Sequence, residues 1–351
     1  MTDDTTIYQE KSVRITVNRQ ASAAWTHLVE QIVYGTSGPR YQHLNNQSKL
    51  DKLAGSYFFT LYYRDEAVGT YCVAPQRTGT PVGEVQSFYG RLLSIRPPYG
   101  DRGWGGLMKQ EAVRFLTAQT AESHLFYSHV EYANRRSVRL SRKLHFQSLA
   151  LLEALLFSRV SPRKNRRFGR LTDAERPTMF ARLQEQYRPY TLVHLDHFYD
   201  EQNYFVLREH GQVVAGLQVF PVAWHIAELP GMGGAVLKHI LPRLPVVHRL
   251  FDPRQHQFVV VEAAYVQPGR EPELLTLLES ILAQFEVTSA LWVLDLDDPL
   301  HRALHRKGNW GPMRALTDRI FSYVMFEGHG VGVQDIKPGH VPVYVSAFDF
   351  S

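Results

Sequence analysis

Arg96-Pro97-Pro98-Tyr99-Gly100-Asp101-Arg102-Gly103-Trp104-Gly105-Gly106-Leu107 joins two different hydrophobic patterns. Before it, Val85, Phe88, Tyr89, Leu92, Leu93 and Ile95 supply the bulky and β-branched residues of a strand over 85–95. After it, Leu107, Met108, Ala112, Phe115 and Leu116 recur at helical spacing, with Lys109, Glu111 and Arg114 on the other face. The prolines end the ladder, because they cannot donate to it. Gly100, Gly103, Gly105 and Gly106 then permit positive φ and a close backbone approach, leaving the first helical N–H groups open at the positive end of the helix dipole. Such a turn suits a phosphate or pyrophosphate. Glycines also punctuate ordinary loops, so the stretch alone leaves both readings open.

A second block follows. His124–Val130 reads as another strand and leads into Asn134-Arg135-Arg136-Ser137-Val138-Arg139-Leu140-Ser141-Arg142-Lys143-Leu144-His145-Phe146. Together the two blocks resemble the GNAT superfamily of acyl-CoA-dependent N-acyltransferases. That pattern is Arg or Gln, two residues, then Gly-x-Gly, followed later by Asn-x-x-Ala/Ser-x-x-Leu-Tyr-x-Lys-x-Gly-Phe. Gly103 and Gly105 match the first motif; Asn134, Ser137, Leu140, Lys143 and Phe146 match the second in register. Gly100 stands where the family has Arg or Gln, Ser141 where it often has the tyrosine that protonates the departing thiolate, and His145 where it has glycine.

The resemblance implies an α/β fold built on a twisted mixed sheet flanked by helices. It also implies a ligand, acetyl-CoA or another acyl-CoA, whose pantetheine arm lies between two splayed parallel strands. Leu93 and Ile95 would hold the arm through the backbone, and Asp101, Arg102, Gly103, Trp104, Gly105 and Gly106 the pyrophosphate. Asn134 and Ser137 would add CoA contacts. Their plainer readings are a helix cap for Asn134 and helix packing for Ser137.

A chain of 351 residues is long enough for two domains with separate cores. With 44% hydrophobic and 21% charged residues, the composition is that of a globular protein rather than a disordered one. No run approaches eighteen apolar residues and the first residues are polar and acidic, so the expectation is a cytoplasmic protein without a membrane partner. Cys72, the single cysteine, reads as a buried strand residue. The net charge of +5 is modest, but Arg159, Arg163, Lys164, Arg166, Arg167 and Arg170 form a dense basic run; a nucleic-acid contact and a solvated linker between domains are its two readings, and with no nucleic-acid motif beside it the linker is expected.

In chain order, 12–17 alternates as a strand and Ser22 caps a helix. Tyr57–Tyr63 and Ala67–Ala74 form a hairpin, 76–83 reads as a loop, and 146–160 supplies closing strands. The same order recurs from Gly169. Thr172 and Glu175 form a capping box. A hairpin follows at 204–220, then a strand at 258–266, a helix through Leu274, Leu277, Leu278, Ile281 and Leu282, a strand at 290–296 and a helix from Pro299. We therefore expect tandem GNAT-like domains: 1–160 with the CoA loop, a linker over 161–170, and a degenerate second copy over 171–351. In that copy the turn is Gln267-Pro268-Gly269-Arg270-Glu271-Pro272-Glu273, whose carboxylates oppose a pyrophosphate. Gly231–Gly234 reads as a loop, and Val341–Phe350 as a strand. His194 and His197 have the spacing of a metal pair but nothing nearby completes a site, so no metal is expected.

Acyl transfer requires an amine to lose a proton and a thiolate to be stabilised as it leaves. His129 and Glu131 lie two apart, on one face at the end of the second strand, and Glu84 precedes the first; these are the candidate bases. Solvated or ion-paired strand ends are the plainer reading for all three. With serine at 141, water or a phenol such as Tyr132 would protonate the thiolate. The expected function is transfer of acetyl to a primary amine on a small molecule or peptide. The alternative is a non-catalytic acyl-CoA-binding or scaffolding protein.

Overall fold

The structure, a computed structural model, describes residues 4–44, 50, 52–229 and 252–347. It begins with β1 (Thr5–Glu10) and β2 (Val13–Asn18), followed by α1 (Ala23–Glu30), whose cap Ser22 accepts from the Trp25 N–H at 3.2 Å. Next come β3 (Arg40–His43), β4 (Tyr57–Tyr63), β5 (Glu66–Thr80) and β6 (Gly83–Ile95). A 3-10 turn, Pro97–Arg102, enters α2 (Trp104–Gln119); β7 (His124–Glu131), α3 (Arg135–Lys143) and β8 (Gln147–Ser158) complete the first half. The second half holds β9 (Phe168–Arg170), α4 (Arg176–Tyr187), β10 (Tyr204–Glu209), β11 (Gln212–Glu228), β12 (His256–Val266) and α5 (Glu273–Phe285). It ends with β13 (Ser289–Asp295), α6 (Pro299–Lys307), α7 (Pro312–Leu316), β14 (Ile320–His329) and α8 (Val333–Ile336).

All described strands join one fourteen-stranded sheet, in the order β1-β2-β4-β5-β6-β7-β14-β8-β13-β12-β11-β10-β9, with β3 paired to β11. Its centre exchanges strands between the halves. β14 lies between β7 and β8, antiparallel to both, and β8 lies between β14 and β13. Two pairs are parallel, β6 with β7 and β12 with β13, and both are short. The first runs from Gln86↔His124 to Tyr89↔Tyr127; the second joins only Val259↔Ala290 and Val260↔Leu291. Three residues past each last pair, the chain takes a positive φ, +56° at Leu92 and +46° at Ala263, beside a register shift with the preceding strand. These bulges turn the strand ends apart.

Helix faces follow the apolar stripes. On α5, Leu274, Leu277, Leu278, Ile281 and Leu282 are all fully buried, and at roughly 1.5–3 kcal/mol per side chain that burial, rather than helix propensity, fixes the helix on β10–β13. α2 covers one face of the first half through Met108, Ala112 and Leu116. α1 covers the other face, where Trp25 and Val29 pack with Cys72 and with Phe220, Val222, Phe258 and Val260 of the second half.

Several expectations are corrected. Residues 76–83 are the tip of the long β5–β6 hairpin, not a loop: the ladder runs to Thr80↔Gly83, and alternating Gln76, Thr78 and Thr80 suit a strand. Lys109 and Glu111 are buried (3% and 8% exposed), because α3 covers Lys109 and the unforeseen β1 lies against α2 beside Glu111. Of the tail, residues 341–347 form no strand beyond a single bridge, Val343↔Thr191, although Val343–Ala347 are buried. Its remainder, and Gly231–Gly234, lie outside the described residues. In the basic run, Arg159 pairs with Glu279 (3.1 Å) and Arg167 with Glu273 (2.6 Å), and residues 168–170 form β9. Cys72 is fully buried, and burial pushes its thiol up to about 12.

Candidate active site

Beyond Tyr89 and Tyr127 the strands β6 and β7 are no longer paired with each other, so a wedge opens between Gly90–Ile95 and Ser128–Glu131. The Arg96 N–H bonds to the Val68 carbonyl on β5 at 2.9 Å. Strand alternation then turns the N–H groups of Ile95 and Leu93 the other way, toward the wedge. Directly after the strand, Gly103 takes φ +76° and caps α2 without a side-chain bond. The first intrahelical bonds there come from the Gly106 and Leu107 N–H groups to the Gly103 carbonyl. A Cβ at Gly103 would meet nothing within 4 Å, and one at Gly105 only ordinary contacts with Ile95 and Leu140. The approach to the start of α2 is therefore open where anion binding needs it.

Flanking side chains add charge and aromatic surface. Arg102 lies 5.0 Å from the Trp104 ring, near Tyr63 and Tyr99, with Tyr99 and Trp104 stacked at 5.7 Å. Asp101 is exposed and pairs with Arg136 at 3.5 Å, which puts the Arg136 guanidinium beside Gly100, the position where the family pattern has a polar side chain. Sequence reasoning passed over Arg136 because it occupies a variable position of the second motif. Asn134 caps α3 by accepting from the Ser137 N–H at 3.0 Å, the plainer of its two readings, and Ser137 is its partner there. Ser141 is buried and accepts from Lys109 Nζ at 3.1 Å. Lys109 Nζ also sits 3.5 Å from the Phe146 ring centroid, and desolvation pulls its pKa down to about 7, against the attraction of Glu327.

On the opposite face of the sheet, His129 and Glu131 do share a side, as expected, but have different surroundings. The His129 ring lies 5.2 Å from that of Tyr89, whose hydroxyl is 3.4 Å from Nδ1. Desolvation, then His194 and Arg91, push its pKa down to about 3. The Glu131 carboxylate accepts from the Thr36 N–H, the Ser37 N–H and the Ser37 hydroxyl, each at 2.8 Å, and so pins the loop after α1 over the end of the wedge. Glu84 is exposed near the tip of the β5–β6 hairpin, 3.7 Å from Arg77, at the opposite end of β6 from the wedge. Tyr132 is 54% exposed and packs on Tyr323.

His194 joins this group from the second half. It is buried, its pKa is held down to about 3 by desolvation, and its Nε2 lies 3.5 Å from the Tyr127 hydroxyl, which also accepts from Gln76. His194 lines a cleft of about 1060 Å³ between the β5–β6 hairpin and α4, together with Arg77, Glu84, Arg176, Tyr187 and Tyr190. Among the described residues no group of three His, Cys, Asp or Glu is arranged to hold a metal ion.

The corresponding wedge in the second half is occupied by the protein itself. Tyr204 and Tyr187 donate to the Ala263 and Ala264 carbonyls (both 3.0 Å), and Gln186 accepts from the Val266 N–H at 3.1 Å. Buried Glu262 accepts from the Ser346 hydroxyl at 2.7 Å. The turn into α5 is tied by Arg270 to Glu209 and Glu273, at 2.7 and 2.8 Å.

A bulged strand diverging from its parallel neighbour, with a glycine turn opening a helix between them, is the architecture of the GNAT fold. Residues 23–146 match the model of the Acetyltransferase (GNAT) family. No curated protein matches the chain in sequence. Among solved structures, N-myristoyltransferase of Saccharomyces cerevisiae with bound myristoyl-CoA aligns with TM-score 0.61 at 9% identity, over 93% of this chain and 86% of that one. A GCN5-related N-acetyltransferase from Anabaena variabilis ATCC 29413 aligns with TM-score 0.51 at 10% identity, over 89% and 72%. A conserved protein of unknown function from Enterococcus faecalis V583, described as a probable N-acyltransferase, aligns with TM-score 0.50 at 11% identity, over 90% and 72%. At these identities the likeness is one of fold.

Proposed function

We propose that the protein is an acyl-CoA-dependent N-acyltransferase that moves acetyl from acetyl-CoA to a primary amine, on two tandem GNAT-like units of which only the first takes CoA. The observation that carries this reading is the wedge beyond Tyr89 and Tyr127, headed by the open turn at Gly103 and Gly105. When bound, acyl-CoA supplies the activated carbonyl. Leu93 and Ile95 hold the arm through their N–H groups, and the backbone of 101–106 meets the pyrophosphate, aided by Arg102 and Arg136. The amine enters from the cleft lined by His194. His129, unprotonated at neutral pH, accepts a hydrogen bond from the attacking nitrogen and orients it, while Glu131 keeps the covering loop in place. The filled second wedge and its ion-paired turn support a single CoA site.

The test is thiol release from acetyl-CoA with a panel of primary amines on small molecules and peptides, alongside calorimetric binding of CoA. Amine-dependent release with one CoA site per chain supports the enzyme. Tight CoA binding with no release for any amine supports the non-catalytic alternative.

A further inference from the structure

Ser128 is the first residue of β7 past the last parallel pair, so it stands at the foot of the wedge. Alternation along the strand puts its side chain on the face of Phe126 and Val130, the face that packs with Trp104, Met108 and Leu144 beneath α2 and α3. It is 7% exposed, and its hydroxyl has no hydrogen-bond partner among the described residues. Buried hydroxyls are satisfied as a rule, so one left open at the foot of a ligand cleft marks where a ligand atom completes the bond. The hydroxyl at 141, where the family resemblance places an acid, is engaged instead by Lys109.

Resting on the acyl-CoA reading above, we infer that the Ser128 hydroxyl donates a hydrogen bond to the sulfur of the bound thioester and stabilises the thiolate as it departs. The amine lone pair forms the C–N bond and the C–S bond breaks with its electron pair passing to sulfur. The amine proton is lost to solvent, and the thiolate leaves as the thiol after taking a proton from solvent. Ser128 keeps its own proton throughout and acts where negative charge develops.

CoA itself is the probe, which makes the test independent of the acceptor. The thiol of bound CoA is titrated by thiolate absorbance in wild type, Ser128→Ala and Ser128→Thr. A hydrogen bond to a charged acceptor changes the equilibrium by roughly 10- to 100-fold, so alanine raises the bound thiol's pKa by about one to two units while threonine holds it near the wild-type value. Alanine at 128 removes an unsatisfied hydroxyl, and thermal unfolding verifies that the fold is kept. Equal thiol pKa values in wild type and Ser128→Ala, with CoA bound to both, overturn the inference alone. Failure of wild type to bind CoA overturns the acyl-CoA reading, and this inference with it.

Discussion

Replacing Lys109 by methionine removes a buried ammonium while keeping the length of the side chain. In the fold Nζ has one hydroxyl partner and an aromatic face, and its pKa falls from 10.5 to about 7 because desolvation outweighs the pull of Glu327. Glu327 itself is shifted up by desolvation, so both groups move toward their neutral forms and burial wins over their attraction. Between pH 7 and 10.5 the unfolded chain binds more protons at this site than the folded one, so stability rises with pH across that window; below pH 7 both states are protonated and the slope vanishes. Going from pH 7 to pH 9, wild type should gain roughly 2 kcal/mol relative to Lys109→Met, at about 1.4 kcal/mol per pKa unit. Urea unfolding followed by tryptophan fluorescence at pH 6, 7, 8 and 9 measures this directly, since other titrating groups are common to both proteins. Parallel stability curves would show that Lys109 reaches solvent and would refute the reasoning.

Gly105→Asp places a carboxylate where its Cβ meets only ordinary contacts, so the fold should persist while CoA affinity drops at least about a hundredfold; unchanged affinity by calorimetry refutes the pyrophosphate site. His129→Ala should lower turnover about tenfold or more without moving the rising limb of the pH–rate profile, because His129 stays neutral down to about pH 3 and the limb belongs to the acceptor's ammonium; a limb that shifts in the variant makes His129 the base. His194 is neutral in the fold and titrates at 6.5 when unfolded, so its contribution is present above pH 6.5 and is lost as pH falls toward 3. Relative to His194→Gln, wild type should lose roughly 2 kcal/mol of stability from pH 7 to pH 5, as read by denaturant midpoints.

Most elements of the first half, though not β1, β3 or the tip of the β5–β6 hairpin, were legible because each has a local cause: β-branched runs, the glycine turn, Ser22 as a cap and the Asn134 motif. The wedge itself follows from those elements. What local pattern could not carry was whatever depends on a distant partner. Lys109 and Glu111 read as a polar face until α3 and β1 are seen to cover them. His194, set aside as half of an unfinished metal pair, reaches the site through Tyr127, 67 residues earlier. Ser128 has no periodic or compositional mark; only the register of β6 with β7 shows that it stands where pairing stops. β14 was missed because its polar and aromatic residues, Ser322, Tyr323, Glu327 and His329, dilute the strand pattern.

The strand exchange at the centre of the sheet bears on how the chain can be made. β7 finds its antiparallel neighbour only in Ile320–His329, nearly two hundred residues later. At a synthesis rate of roughly 5–20 residues per second, the edge beside the wedge stays open for about 10–40 seconds on the ribosome. An open edge with Leu125, Phe126 and Tyr127 along it is a template for pairing with other chains. Nascent chains stalled at residue 315 should therefore be protease-sensitive and chaperone-bound, and those freed from the ribosome with Ile320–His329 included resistant. Loop closure over such a separation also slows folding, because its entropy is lost before the β7–β14 contacts form.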